Sequence, residues 1–164
     1  MGVVAEGPTH GFAVARLLAA DGALGRVWTV RRPLIYQALQ KLLQLGLVSN
    51  RSTQRSDRGP VRTIVAISPA GRQAMQRWLA QPVDHVRDVR SLLLLKLALL
   101  YRSGGDTRSL LIAQRRQLLP RIESLGRLRD EATGFDGVLA EWRLASSRAT
   151  LEFLDAIVTP APTA

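Results

Sequence analysis

The segment "RRPLIYQALQKLLQLGLV", residues 31–48, has the pattern of one amphipathic helix and is the main indicator of the fold class. At about 100° per residue, its leucines fall on one broad side, and its tyrosine, glutamines and lysine fall on the other. Pro33 is tolerated only in the first turn of a helix, and Gly46 suits the left-handed position that ends one. We therefore predict a helix over residues 32–45.

The polar side of this helix is unusual because it carries no carboxylate, and no acidic residue occurs between Asp21 and Asp57. A solvated helix surface usually mixes Glu with Lys, since pairs at i,i+4 stabilise the helix. Arginine, lysine, glutamine and tyrosine can instead contact the phosphates and base edges of DNA. The pattern favours a nucleic-acid-binding face, although this helix alone is equally consistent with a polar face that contacts only solvent.

The neighbouring elements decide between these interpretations. Thr9 is predicted to cap a short helix, which a turn with two glycines, "DGALGRVWT" (21–29), separates from the helix above. Two segments rich in β-branched residues then flank the basic turn "RSDRGP" (55–60), a hairpin pattern. Ser68 as cap and Pro69 at the first helical position mark the start of another helix. The order helix, helix, basic hairpin, helix predicts a winged helix-turn-helix.

The rest of the chain is predicted to be helical. Residues 86–102 are apolar on nearly every side, which predicts a covered helix. A second helix begins near Asp106 and contains Pro120, which is expected to kink or split it. A third, over about residues 135–158, carries a long apolar stripe. This apolar surface favours a homodimer, and packing of the helices within one chain is the alternative.

These elements predict a mainly α fold with a small β-hairpin. In this fold an N-terminal winged helix-turn-helix is followed by a C-terminal α-helical dimerisation region. The predicted divisions are a DNA-binding domain over residues 1–82, a helical dimerisation and effector region over 83–158, and a flexible tail over 159–164.

Composition supports a polyanionic partner. The 164 residues carry a net charge of +10, and residues 1–67 contain nine basic and three acidic residues, a net charge of +6. A basic excess that is denser at one end indicates nucleic acid.

The absence of cysteine excludes thiolate zinc sites, disulfides and thiol nucleophiles. The longest apolar run, residues 91–101, is too short to span a bilayer. We predict a cytoplasmic protein with no membrane partner, no metal and no cofactor.

Three stretches together resemble the PadR family of bacterial transcriptional regulators. "EGPTHGFAVARLL" (6–18) resembles the family's opening motif, "IYQALQKLLQLGLV" (35–48) its recognition helix, and "RGPVRTIVAISPAGRQAMQRW" (58–78) its wing and the start of the next helix. The resemblance implies a dimeric DNA-binding protein, usually a repressor that a small, often aromatic or drug-like molecule releases from DNA. It places Tyr36 at the DNA, and it implies a structural role for His10.

The residues expected to contact double-stranded DNA belong to the helix predicted over residues 32–45 and to the predicted hairpin, which is the wing of the winged helix-turn-helix. Arginine and lysine would neutralise phosphates, and Gln suits the base edges of adenine. The predicted DNA-binding residues are Arg31, Arg32, Pro33, Tyr36, Gln37, Gln40 and Lys41 on the helix, and Arg55, Arg58, Gly59 and Arg62 on the wing.

An effector site is the less direct prediction. Trp142 on the last helix is expected to line a pocket between subunits, and Trp28 and Trp78 are expected near the junction of the two regions. A tryptophan on an apolar stripe is more often part of a core, so core packing is the alternative for all three.

Two other classes of function compete with DNA regulation. An enzyme is disfavoured because the only histidines are His10 and His85 and no phosphate-binding glycine loop occurs. A basic helical interaction protein, binding an acidic partner without DNA sequence specificity, remains the alternative. It predicts binding that does not depend on DNA sequence and needs no hairpin.

Overall fold

The computed structural model describes the backbone of residues 1–56 and 59–158, and the side chains of these residues except 54–56 and 59–61. Seven helices and two strands are found in this part of the chain. In order they are α1 (Gly2–Ala5), α2 (Gly11–Leu17), α3 (Arg32–Gln44), β1 (Val48–Ser56), β2 (Gly59–Ile67), α4 (Pro69–Ala80), α5 (Leu94–Ser103), α6 (Thr107–Glu131) and α7 (Gly134–Val158). A 3₁₀ turn (Val86–Asp88) and a π-helical turn (Val89–Leu93) precede α5.

The predicted fold class is confirmed: helices dominate, and the sheet is one antiparallel hairpin of β1 and β2. The chain forms two compact units. The first contains residues 1–79 and 94–105, and the second contains residues 80–93 and the chain from Asp106 onward. The prediction of domains over 1–82 and 83–158 stays a prediction, since compactness alone does not show which segments fold independently. The predicted tail, 159–164, lies outside the described residues.

The first unit has a core made by the helices and the hairpin together. Val4, Leu24, Ile35 and Val65 are buried in it, and Leu99 of α5 joins the same cluster. A bidentate ion pair between Arg102 of α5 and Glu6, with N···O distances of 2.7 and 2.6 Å, lies beside this core. Helix α5 is therefore an integral part of the unit that contains the hairpin.

Helix α3 forms at nearly the predicted residues, and Gly46 follows it with a positive φ of 66°. Its buried side is narrower than the pattern indicated. Only Ile35 and Leu39 are buried, whereas Leu34 and Leu45 are exposed. The reason is that α3 contacts the core along one stripe only, which leaves most of its surface open.

The prediction that Thr9 caps α2 is wrong, because His10 does so. Its Nδ1 accepts a hydrogen bond from the backbone N–H of Ala13 at 3.1 Å. Thr9 is instead bound to the edge of β2, where its N–H donates to the carbonyl of Val65 at 2.9 Å and its carbonyl accepts from the Val65 N–H at 2.8 Å. This backbone pairing holds Thr9 one residue before the cap His10 and two residues before the first residue of α2.

The start of α4 agrees with the sequence prediction. The hydroxyl of Ser68 accepts a hydrogen bond from the N–H of Gly71 at 3.0 Å and donates to the carbonyl of Gly46 at 2.7 Å. The hairpin pairs Val48 of β1 with Ile67 of β2 at its open end, and the strand pairing is irregular between Asn50 and Ser52 and again near the turn. Ser68 thus links the end of α3 to the helix that follows the hairpin.

The second unit is held together by the pairing of α6 with α7 and by a buried amide. Gln114 donates to the carbonyl of Val83 at 3.0 Å and accepts from its N–H at 2.7 Å. Helix α6 runs through Pro120 without the predicted split. The predicted helix over 86–102 is interrupted, because its first residues form the 3₁₀ and π-helical turns. Within the described residues, no helix is long and apolar enough to cross a membrane.

Candidate DNA-binding surface

The outer surface of α3 presents the predicted residues to solvent, and we call it the basic face. All seven of them are exposed: Arg31, Arg32, Pro33, Tyr36, Gln37, Gln40 and Lys41. In the part of the chain that the structure describes, none of its basic groups forms an ion pair with a carboxylate. The face therefore retains its positive charge for an external anion.

Tyr36 is placed by a close approach between α2 and α3. A Cβ atom on Gly11 would lie 2.6 Å from Cε1 of the Tyr36 ring, nearer than real Cβ contacts allow. Only glycine at position 11 leaves room for the ring in this position. The tyrosine remains 45% exposed, so one side of it is free to contact a ligand.

The structure describes the predicted wing residues only in part. Arg62 lies exposed on β2, in the pair with Gln54. Arg55 lies in β1 and Gly59 begins β2, but their side chains are outside the described part of the structure. Arg58 is outside the described residues altogether. The DNA contacts of all eleven predicted residues stay predictions, and for Arg55, Arg58 and Gly59 the side-chain positions also lie outside the described part of the structure.

A cleft of about 610 Å³ lies between the start of α2, the basic face and β2. Arg32 and Arg62 both line it, so this cleft brings together a helix residue and a wing residue that are 30 positions apart in the sequence. We call it the arginine cleft. Its lining includes His10, Phe12, Arg32, Tyr36, Gln40 and Arg62.

The contacts within the arginine cleft are between guanidinium groups and aromatic rings. The Cζ of Arg32 lies 5.1 Å from the ring centroid of Phe12 and 5.9 Å from that of Tyr36. The Cζ of Arg62 lies 5.7 Å from the Phe12 centroid. The ring of His10 stacks on Phe12 at 6.3 Å, with 25° between the planes. The sequence reasoning missed Phe12; its signal was an aromatic residue directly after the glycine that starts α2.

The three tryptophans predicted to contact an effector do not share one unit. Trp28 and Trp78 belong to the first unit, and Trp142 belongs to the second. Trp78 packs against the core of the first unit, and the Nζ of Lys96 lies 4.8 Å from the centroid of its ring. This position fits core packing, the alternative to an effector role. Trp28 is 40% exposed in the connection before α3.

Trp142 lines a groove of about 780 Å³ in the second unit, which we call the C-terminal groove. Leu125 and Leu139 supply apolar wall, and no aspartate or glutamate contributes to the described lining. Four arginines surround it: Arg87, Arg90, Arg121 and Arg143. The groove therefore combines an exposed indole with an excess of positive charge.

Helix α7 also exposes large apolar side chains along one side. Phe135 is 77% exposed, Val138 64% and Trp142 69%, at spacings of three and four residues. Such a stripe is what one helix presents to another in a coiled-coil-like contact.

For metal ions, the described residues hold no group of three or more potential His, Cys, Asp or Glu ligands.

Comparison with known proteins gives a family match and two similar structures. The model of the transcriptional regulator PadR-like family matches residues 1–77. The chain is similar to Bacillus subtilis PadR in complex with operator DNA, at 19% identity and a TM-score of 0.48, over 96% of this chain and 94% of that one. It is also similar to smu.1604c from Streptococcus mutans, at 16% identity and a TM-score of 0.44, with the same two coverages. A comparison with curated proteins found no match.

Proposed function

We propose that this chain, whose residues 1–77 match the model of the transcriptional regulator PadR-like family, acts in the cytoplasm as a sequence-specific DNA-binding repressor. The observation that carries the proposal is the basic face of α3, which is exposed and free of carboxylates. Arg62 of the hairpin lies in the same cleft as Arg32. Helix and wing therefore offer one continuous surface to a polyanion.

In the proposed complex, α3 enters the major groove of double-stranded DNA. Arg31, Arg32 and Lys41 bind phosphates, which supplies affinity without sequence information. Tyr36, Gln37 and Gln40 face the base edges, where a glutamine can make two hydrogen bonds to adenine. The arginines of the wing reach the neighbouring backbone.

We propose that the protein binds DNA as a homodimer joined through α7. The exposed stripe that begins at Phe135 and Val138 would be buried by the same stripe of a second copy, as in a two-fold interface. Two copies of α3 would then reach successive major grooves, about 34–36 Å apart along the duplex. A pseudo-palindromic operator follows from this symmetry.

The effector proposal rests on the C-terminal groove. The indole of Trp142 offers a flat apolar surface, and the arginines around it favour a ligand with negative charge. We propose a small aromatic effector that carries an acidic group and that lowers DNA affinity when it binds. Titrating aromatic acids against wild type and Trp142→Ala tests this role, with DNA release as one readout and the mass of the protein in solution as the other. The second readout is needed because Trp142 also belongs to the stripe proposed to join the two copies.

A second candidate function is a basic interaction protein that binds an acidic partner without regard to DNA sequence. The observation in its favour is the net charge of +10, which would attract any polyanion. It differs from the first candidate in predicting no preference among DNA sequences.

The deciding experiment is a titration of the protein against DNA from immediately upstream of its own gene, beside scrambled DNA of equal length, at near-physiological salt. A preference of roughly a hundredfold or more for the upstream fragment is what a self-regulating repressor would show. Equal and salt-sensitive binding to both fragments would favour the second candidate. Binding to neither would overturn the assignment of the basic face.

A further inference from the structure

We propose that Phe12 is a positioning residue for DNA binding: its ring holds Arg32 of α3 and Arg62 of β2 together, so that both guanidinium groups bind the DNA backbone inside the arginine cleft. The ligand of this cleft is a backbone phosphate, or two adjacent ones. The inference rests on the proposed DNA-binding function and assigns a role to a residue outside the basic face and the wing.

The backbone fixes Phe12 beside the hairpin. Thr9 is joined to Val65 of β2 by two backbone hydrogen bonds, of 2.9 and 2.8 Å, only three residues before Phe12. His10 then caps α2 through its Nδ1 and stacks on the Phe12 ring. The ring is therefore anchored to the strand that carries Arg62, although it belongs to a helix.

The electrostatics of the cleft explain why a ring is needed there. The guanidinium carbons of Arg32 and Arg62 lie 5.1 and 5.7 Å from the centroid of the Phe12 ring. Two like charges brought this near to one point repel each other, and neither has a carboxylate partner among the side chains described. The negative face of an aromatic ring offsets part of this repulsion. A phosphate entering the cleft would offset the remainder.

The arrangement also matches the geometry of phosphate recognition. A guanidinium group has a planar fork of donors that can bind two phosphate oxygens at once, provided that its plane is held in place. Contact with an aromatic ring restricts that plane and reduces the entropy cost of binding. Phe12 is 39% exposed, so the ring is accessible to both arginines without being removed from the surface.

The test compares ring-free with ring-containing variants of the full chain on the DNA fragment that the wild type prefers. Phe12→Leu removes the ring and keeps apolar volume, whereas Phe12→Tyr keeps the ring. We expect Phe12→Leu to bind about 5- to 30-fold more weakly, because the ring no longer orders two arginine side chains before binding, and their rotamer freedom must then be lost on binding. Its slope of log affinity against log salt should fall by roughly 0.9 for each phosphate that a protomer no longer neutralises. Phe12→Tyr should resemble the wild type in both quantities.

A cycle with Arg62→Gln shows whether the ring acts through the arginine. If it does, Phe12→Leu should cost less affinity when Arg62 is already replaced. Equal losses in both backgrounds, an unchanged salt slope, or equal effects of the Leu and Tyr variants would overturn the proposal. Phe12→Met is the second ring-free variant, and unfolding of both would also overturn it by assigning Phe12 a purely structural role. If the wild type prefers no DNA, the proposed function itself fails, which is a separate result.

Discussion

Replacing Gly11 by alanine tests how the contact between α2 and α3 controls the basic face. The new Cβ would lie 2.6, 3.1 and 3.2 Å from three ring atoms of Tyr36, where ordinary van der Waals contact needs 3.4 Å or more. The ring must therefore withdraw by about 0.8 Å at its nearest atom, or rotate away. Overpacking costs roughly 1–3 kcal/mol in the free energy of unfolding where neighbours cannot yield, and we expect about 1 kcal/mol here because the half-exposed ring of Tyr36 can turn toward solvent.

The control for this change is Gly7→Ala, since a Cβ at Gly7 meets nothing within 4 Å and Gly7 has no positive φ. Urea unfolding of both variants gives the stability difference, which we expect to be about 1 kcal/mol in favour of Gly7→Ala. Titration with operator DNA gives the functional effect. We expect roughly tenfold weaker binding for Gly11→Ala, because the displaced Tyr36 no longer presents the same edge to DNA.

A double variant, Gly11→Ala with Tyr36→Ala, isolates the clash. Removing the ring should relieve the strain that the new Cβ causes. The double variant should therefore be more stable than the sum of the two single losses in unfolding free energy implies. The reasoning is refuted if Gly11→Ala and Gly7→Ala have the same unfolding free energy and the same DNA affinity. It is equally refuted if the two losses simply add, since the clash would then not involve the tyrosine.

Three further predictions concern stability. Gln114→Leu should lower the unfolding free energy by about 1–3 kcal/mol in urea titrations, because it leaves the buried N–H of Val83 without a partner and its carbonyl with only the longer hydrogen bond from Gln117, at 3.4 Å; an unchanged unfolding free energy would contradict this. Ser68→Ala should cost about 1 kcal/mol through loss of the cap of α4, whereas Ser68→Thr, which keeps the hydroxyl, should cost less. The hydrogen bond from the Ser109 hydroxyl holds the pKa of Asp106 below its usual value, so ionisation of this carboxyl stabilises the folded state above the ordinary aspartate pKa. That contribution should disappear as the pH falls through the lowered value, and the difference between wild type and Asp106→Ala in thermal melts should then narrow to the part that the Ser109 N–H hydrogen bond supplies.

Local patterns predicted most of the first unit. The helix of the basic face, its glycine end and the Ser68 cap depend on residues close together in the chain, and the structure has each of them nearly as expected. The position of the α2 cap was missed because it depends on Thr9 pairing with Val65, more than 50 residues away. The same long-range pairing places Phe12 beside Arg62. No local pattern contains that information.

The helical part was predicted less well, for a related reason. An apolar run over residues 86–102 looks uniform, yet its first residues form 3₁₀ and π-helical turns before α5 begins. Pro120 was expected to kink or split α6, and the helix is not split, since it runs continuously from Thr107 to Glu131. Ion pairs join α6 to α7 before the proline, from Arg115 to Asp155, and after it, from Arg129 to Glu141, and such tertiary support outweighs local preference.

Helix α5 has a consequence for how the protein is made. The first unit is made of two segments of the chain, and the first of them ends at Leu79. Its core also contains Leu99 from the second segment, and Arg102 of that segment pairs with Glu6. A ribosome that has just added Leu79 has therefore not yet made the residues that complete this core. At about 5–20 residues per second, the missing stretch takes roughly one to five seconds to synthesise. During that interval the nascent N-terminal unit lacks a helix, so chaperones and proteases have their best access to it before translation reaches Arg102.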